Sequence, residues 1–235
     1  MEVLVSSRLS STTEFGPKHL ILKRHLDAWL PIMTRMNSQL LFVDGFAGPG
    51  RYEGGEDGSP IIALKAAILN RRFQQAPPRC AIRFVFIEDD PARVAALRGE
   101  LETFTREHPL PSWVAYEVEL DEFAPYLSRE LDRLTRQGTR PPSTFAFIDP
   151  FGYSDVPMSL IGRIRKIPSS ECLINFAYKS MNRWAAGDPT RERHLDELFG
   201  TVGWRQYWGI EQELVQVYRR QLVSEAGFDY VRTSR

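Results

Sequence analysis

Four strings in this sequence set carboxylates or glycines directly after apolar runs, where a side chain or bare backbone can meet a ligand. The first is Asp44-Gly45-Phe46-Ala47-Gly48-Pro49-Gly50. Glycines behind a buried strand let backbone N–H groups approach a ligand that a β-carbon would hold away, although an ordinary tight turn uses them too. No Gly-Lys-Ser/Thr follows, which excludes a triphosphate-binding loop. Pro49 and a polar stretch to Gly58 delay the next helix, whose N-terminus would otherwise hold a dinucleotide pyrophosphate. The pattern favours a ligand carrying adenosine but no phosphates.

The second string, Phe84-Val85-Phe86-Ile87-Glu88, ends on a carboxylate that can accept both ribose hydroxyls of an adenosine. Glu88 lies 44 residues after Asp44, where about 20 is usual. The other reading makes it a helix-start acid with Asp89 and Asp90, favoured by the helix dipole. In the third string, Glu119 or Asp121 can accept from an adenine amino group, or both are solvated loop acids.

The fourth string, Phe145-Ala146-Phe147-Ile148-Asp149-Pro150-Phe151-Gly152, is the most distinctive. A carboxylate closing an apolar strand is costly unless it is hydrogen-bonded or used. Asp149 is therefore the candidate catalytic acid or base, with Pro150 shaping the turn and Phe151 able to stack on a planar substrate. Asp-Pro also starts ordinary turns. Tyr178, Lys179, Asn182, Arg183 and Trp184 mix cations with aromatics and can hold an anionic or nucleobase substrate, or form a solvated loop. His19, His25, His108 and His194 form no constellation and read as surface or helix-face residues. Cys80 and Cys172 stand far apart with no Cys-x-x-Cys, which removes a disulfide framework and a zinc site and predicts reduced, buried thiols.

The elements that must position these strings alternate. Helical spacing of Leu22, Leu26, Trp29, Leu30 and Met33 predicts an amphipathic helix over 17–36. A short apolar run predicts a strand over 39–43, and Ser59-Pro60 predicts a hydroxyl-capped helix running to Phe73. Strands follow at 81–87, 113–118, 144–148 and 171–176, with helices at 91–107, 122–137 and 158–167 between them. Strands separated by helices of this length require parallel crossovers. The expected fold is a doubly wound, mostly parallel, Rossmann-like α/β sheet with helices on both faces. The expected organisation is an N-terminal segment and helix at 1–36, a cofactor-binding core at 37–187 and C-terminal helices with the start of a strand at 188–235. The latter comprises helices at 190–199 and 211–226 and a strand at 228–233, cut off at Arg235.

Thirty Lys+Arg balance thirty Asp+Glu, so the overall field gives no reason to expect tight binding to nucleic acid or an anionic membrane. Residues 84–134 carry 5 basic and 12 acidic side chains, leaving both ends mildly basic. The N-terminus lacks a basic segment followed by a long apolar run, and no stretch approaches the roughly 20 apolar residues of a membrane span. A cytoplasmic protein is expected.

Asp44-Gly-Phe-Ala-Gly-Pro-Gly, Glu88 and Asp149-Pro-Phe-Gly at successive strand ends resemble the class I S-adenosylmethionine-dependent methyltransferases. Asp149-Pro-Phe-Gly is similar to the Asp-Pro-Pro-Tyr motif of amino-group methylases. With Lys18-His19, Trp29-Leu-Pro-Ile, Gly58-Ser-Pro-Ile-Ile-Ala-Leu and Phe86-Ile-Glu, the stretch from about 15 to 185 resembles the three-Cys-motif partner protein family (TcmP). The resemblance implies S-adenosylmethionine as cofactor and a separate, radical-enzyme-like three-cysteine protein as partner. By position it implies that Asp44, Gly45, Phe46, Ala47, Gly48 and Gly50 line the methionine moiety. Glu88 would then hold the ribose, Asp121 or Glu119 the adenine, and Asp149, Pro150 and Phe151 lie nearest the transferred methyl. The family continues into further strands, so a truncated chain is expected. The expected activity is methyl transfer to an unidentified acceptor. A docking module without catalysis is the alternative, and a dinucleotide oxidoreductase is disfavoured by the delayed helix.

Overall fold

The computed structural model describes residues 2–6, 16–136, 141–150, 156–176, 178 and 189–234. In chain order the elements begin β1 (Glu2–Ser6), α1 (Gly16–Met36), β2 (Gln39–Asp44), α2 (Ser59–Ile68), α3 (Arg71–Gln75), β3 (Ala81–Glu88), α4 (Pro91–Glu107) and β4 (Val114–Leu120). They continue with α5 (Phe123–Arg136), β5 (Ser143–Ile148), α6 (Met158–Arg165), β6 (Glu171–Asn175), α7 (Pro189–Phe199), a 3-10 turn (Gly203–Tyr207), α8 (Glu211–Ser224) and β7 (Tyr230–Ser234). The described ladders are parallel, as helical crossovers between strands require. The fold is α/β and Rossmann-like. Two units divide it, one of Phe15–Glu122 with Pro142–Phe147, the other of Met1–Glu14, Phe123–Pro141 and Ile148–Arg235.

In the first unit the strand order is β4-β3-β2-β5. Successive crossovers carry β2, β3 and β4 outward on one side, whereas β5 returns to the other side of β2. That reversal leaves a switch point at the carboxyl ends of β2 and β5, where open α/β sheets bind ligands. Phe145, Phe42, Phe84 and Tyr116 stand opposite one another on β5, β2, β3 and β4, an aromatic row on one face. Phe42 stacks on Phe145 at 5.8 Å, and Trp29 of α1 covers Phe145 at 5.4 Å. The predicted stripe of α1 is the buried one: Leu22, Leu26, Trp29, Leu30 and Met33 all lie in the core. Helix α4 buries Val94, Leu97, Leu101 and Phe104, one helical face.

The helix expected to run to Phe73 instead breaks after α2. Asn70 accepts the Arg72 N–H at 3.1 Å and starts α3, a capping contact that competes with helix continuation. Ser59 is not the N-cap either. Gly58 holds that position without a side-chain cap, because its N–H is drawn to Gly50 O at 2.8 Å. The edge of this sheet is covered by a side chain: Trp113 O and the Asp121 N–H pair with β3, so the alternate carbonyl of Val118 faces outward, and Arg98 Nη2 donates to it at 3.0 Å.

In the second unit β1 lies between β6 and β7. The sequence reading left residues 1–16 without an element, so β1 is new. Val3 and Val5 are fully buried there, and their burial comes from strands distant in sequence. Phe176, Phe199, Trp204 and Tyr218 build an aromatic core with ring separations of 5.0 to 6.0 Å. Arg163 of α6 joins α5 through Asp132 and Ser128 O. Helix α8 stops at Ser224 and β7 begins at Tyr230, both inside the expected ranges. Among the described residues, no helix is long and apolar enough to cross a membrane.

Candidate functional site

The loop after β2 spends its amides internally. Gly45 N–H donates to Phe147 O at 2.9 Å, Phe46 N–H to Asp44 Oδ1 at 3.2 Å, Ala47 N–H to Ile87 O at 2.9 Å and Gly48 N–H to Glu88 Oε2 at 2.9 Å. A phosphate cradle needs such amides turned toward the ligand, and here four in succession already have protein acceptors. Asp44 and Glu88, buried at 0% and 3% exposure, set two carboxylates at the same strand ends. Among the described residues, these strand ends thus set two buried carboxylates beside a loop whose amides are already engaged.

Its glycines serve different ends. Gly48 has φ +63°, and a β-carbon added there would meet nothing within 4 Å. Gly50 has φ +86°, and its β-carbon would stand 2.9 Å from Leu97 Cδ1 of α4, so packing accounts for this glycine. A β-carbon on Gly58 would press on Gly50 O at 2.8 Å. Between them residues 51–58 close on themselves through an antiparallel Arg51–Asp57 bridge, with Arg51 also 3.1 Å from Glu100 and Lys65 paired to Asp57. This closed turn, with α2 and α3, fills the long interval between Asp44 and Glu88.

Glu88 is not the cap of α4; Asp90 is, accepting from Ala92 N–H at 2.7 Å and Arg93 N–H at 3.1 Å. The Glu88 side chain turns back to the glycine loop. Its Oε2 takes the Gly48 amide, and its Oε1 takes the Asp90 amide at 3.1 Å with Arg93 Nε at 3.4 Å. Burial pushes its pKa above the usual carboxylate range, against the opposing pull of the Asp90 amide and Arg93. At the end of β4, Asp121 N–H donates to Glu88 O at 3.1 Å. Glu119 stands opposite Ile87, so its side chain leaves the other face of the sheet from that of Glu88.

In the second unit Asp149 is buried at 7% exposure, and Asn175 Nδ2 donates to its Oδ1 at 2.7 Å. Pro150 follows it half-buried. Phe151 lies outside the described residues, as do Lys179, Asn182, Arg183 and Trp184; Tyr178 is buried. His19, read from sequence as helix-face or surface, is buried on α1 and stacked on Tyr52 at 5.6 Å.

Sequence reasoning missed Asn175 and Arg93. The signal for Asn175 was present, since it ends β6 much as Asp149 directly follows β5. Arg93 had none, because a cation after a proline helix start looks like any surface charge. No family model matches this chain, and no curated protein does.

Proposed function

We propose that this protein binds S-adenosylmethionine and transfers its methyl group, acting with a three-cysteine protein as the resemblance implies. The observation that carries the reading is the commitment of the Gly45, Phe46, Ala47 and Gly48 amides to protein acceptors beside the buried carboxylates of Asp44 and Glu88. Such a site disfavours phosphates and favours a ligand with hydroxyl, ammonium or sulfonium groups. The open space at Gly48 leaves room for it.

The Asp44–Gly50 loop would hold the amino-acid part, Glu88 the ribose hydroxyls and Asp121 the adenine, since Glu119 of the two candidate acids leaves the other face of the sheet. When bound, S-adenosylmethionine supplies an electrophilic methyl on a sulfonium. Asp149, fixed by Asn175, orients an acceptor or takes its proton, and alignment supplies most of the rate.

S-adenosylhomocysteine at about 100 times its dissociation constant adds roughly 2.7 kcal/mol to stability. For a chain of this size that raises Tm by several degrees, at about 2–4 °C per kcal/mol. A shift with NAD and none with S-adenosylhomocysteine defeats the reading. Silence with both, in calorimetry as in melting, favours the docking module.

A further inference from the structure

Arg93 sits at the third position of α4, a first turn without acidic side chains. A cation there opposes the helix dipole, so its placement needs a compensating partner. It has one in Glu88, whose Oε1 lies 3.4 Å from Arg93 Nε, while Asp90 Oδ2 lies 3.7 Å away. Arg93 is 39% exposed and Glu88 3%, so a solvent-accessible cation reaches down to a buried anion.

Among the described residues, the other groups that act on Glu88 are anions and backbone amides. On α4 and the turn before it stand Asp89 and Asp90. The loop offers Gly48 N–H, the end of β4 has Asp121, and β2 ends on Asp44, while Glu119 lies on the opposite face of the sheet. A carboxyl in these surroundings is driven to keep its proton, and a protonated carboxyl gives up acceptor capacity.

We propose that Arg93 is a positioning residue: it keeps Glu88 an ionised, fixed acceptor, so that one carboxylate holds the Gly48 amide and still accepts from a ligand hydroxyl. The ligand half of this role rests on the proposed function; the coupling of Arg93, Glu88 and Gly48 does not.

The test uses the whole chain as parent, Arg93→Met, which keeps a long apolar stem without charge, and Arg93→Lys. In the ligand-free protein the Gly48 amide resonance is followed against pH, because its hydrogen bond ends on Glu88 and reports that carboxyl's ionisation. The midpoint is expected to move to higher pH in Arg93→Met and to return toward the parent in Arg93→Lys. S-adenosylhomocysteine should bind Arg93→Met roughly tenfold more weakly at pH 7, the scale of one charge-assisted hydrogen bond. The deficit should shrink as pH rises. An unmoved Gly48 midpoint in a folded Arg93→Met overturns the inference, even when the parent binds S-adenosylhomocysteine. A moved midpoint in a protein that binds no S-adenosylhomocysteine upholds the coupling and defeats the cofactor reading instead.

Discussion

Asn175 Nδ2 donates to Asp149 Oδ1 across 2.7 Å, joining the residue that ends β6 to the one that follows β5. An amide donor on one oxygen orients the carboxylate. The contact explains how a carboxylate at 7% exposure is tolerated, and it makes Asn175 part of any chemistry Asp149 performs.

Replacing Asp149 by Asn preserves an acceptor for Asn175, so the fold and S-adenosylhomocysteine affinity should stay near the parent. Methyl transfer should fall by roughly 10²-fold or more, the scale of losing a general base. Labelled methyl incorporation into extracts, with and without the proposed three-cysteine protein, measures it. A melting temperature lowered without selective loss of transfer would make Asp149 a brace for the Pro150 turn.

Glu88→Gln should weaken S-adenosylhomocysteine binding, and it also touches the fold. Glutamine has one acceptor oxygen, whereas Glu88 serves the Gly48 and Asp90 amides with two, so one buried donor is left facing an amide at a cost of about 1–3 kcal/mol. The pH dependence has a definite sign. Burial raises the Glu88 pKa, so the native chain holds this proton more tightly than the unfolded one. The stability it contributes is present below the ordinary carboxylate range and is lost as pH rises through the folded value. Melting curves of parent and variant from pH 4 to 8 should therefore show the parent losing ground to Glu88→Gln as pH rises, while ligand affinity of the parent improves.

Gly48→Ala and Gly50→Ala should separate ligand space from packing. Both take a left-handed backbone from glycine, a strain common to the two. Only at Gly50 does the new methyl also meet Leu97 Cδ1, at 2.9 Å, so Gly50→Ala should lower Tm by several degrees more. Gly48→Ala should act mainly on S-adenosylhomocysteine affinity, read by calorimetry.

Both thiols should be inert in the native protein. Cys80 is fully buried, and burial pushes it up to about 11 from an ordinary 9.0; burial raises Cys172 as well. Thiol reagents at pH 8 should label neither residue until the chain unfolds. Above about pH 9 the unfolded Cys80 ionises while the native one does not, so stability falls between about 9 and 11. Denaturant melts across that interval, compared with Cys80→Ala, check the slope.

The alternation of apolar runs and amphipathic helices determined the α/β crossover fold, because strand and helix periods and a parallel connection are local properties of the chain. The same local rules located Asp44, Glu88 and Asp149 at strand ends and buried the α1 stripe. They failed where burial or partnership comes from distant residues. Val3 and Val5 make a strand only because β6 and β7 flank them, and the close approach of Leu97 adds to the left-handed backbone that keeps Gly50 a glycine. The alternatives for Glu88, ribose clamp or helix-start acid, omitted its contact with Gly48, 40 positions away. Asn175 and Asp149 lie 26 positions apart and meet as adjoining strand ends do, a proximity no spacing rule encodes. Spacing along the chain assigns residues to strand ends; which side chains and amides then satisfy one another is decided by the packing of those ends.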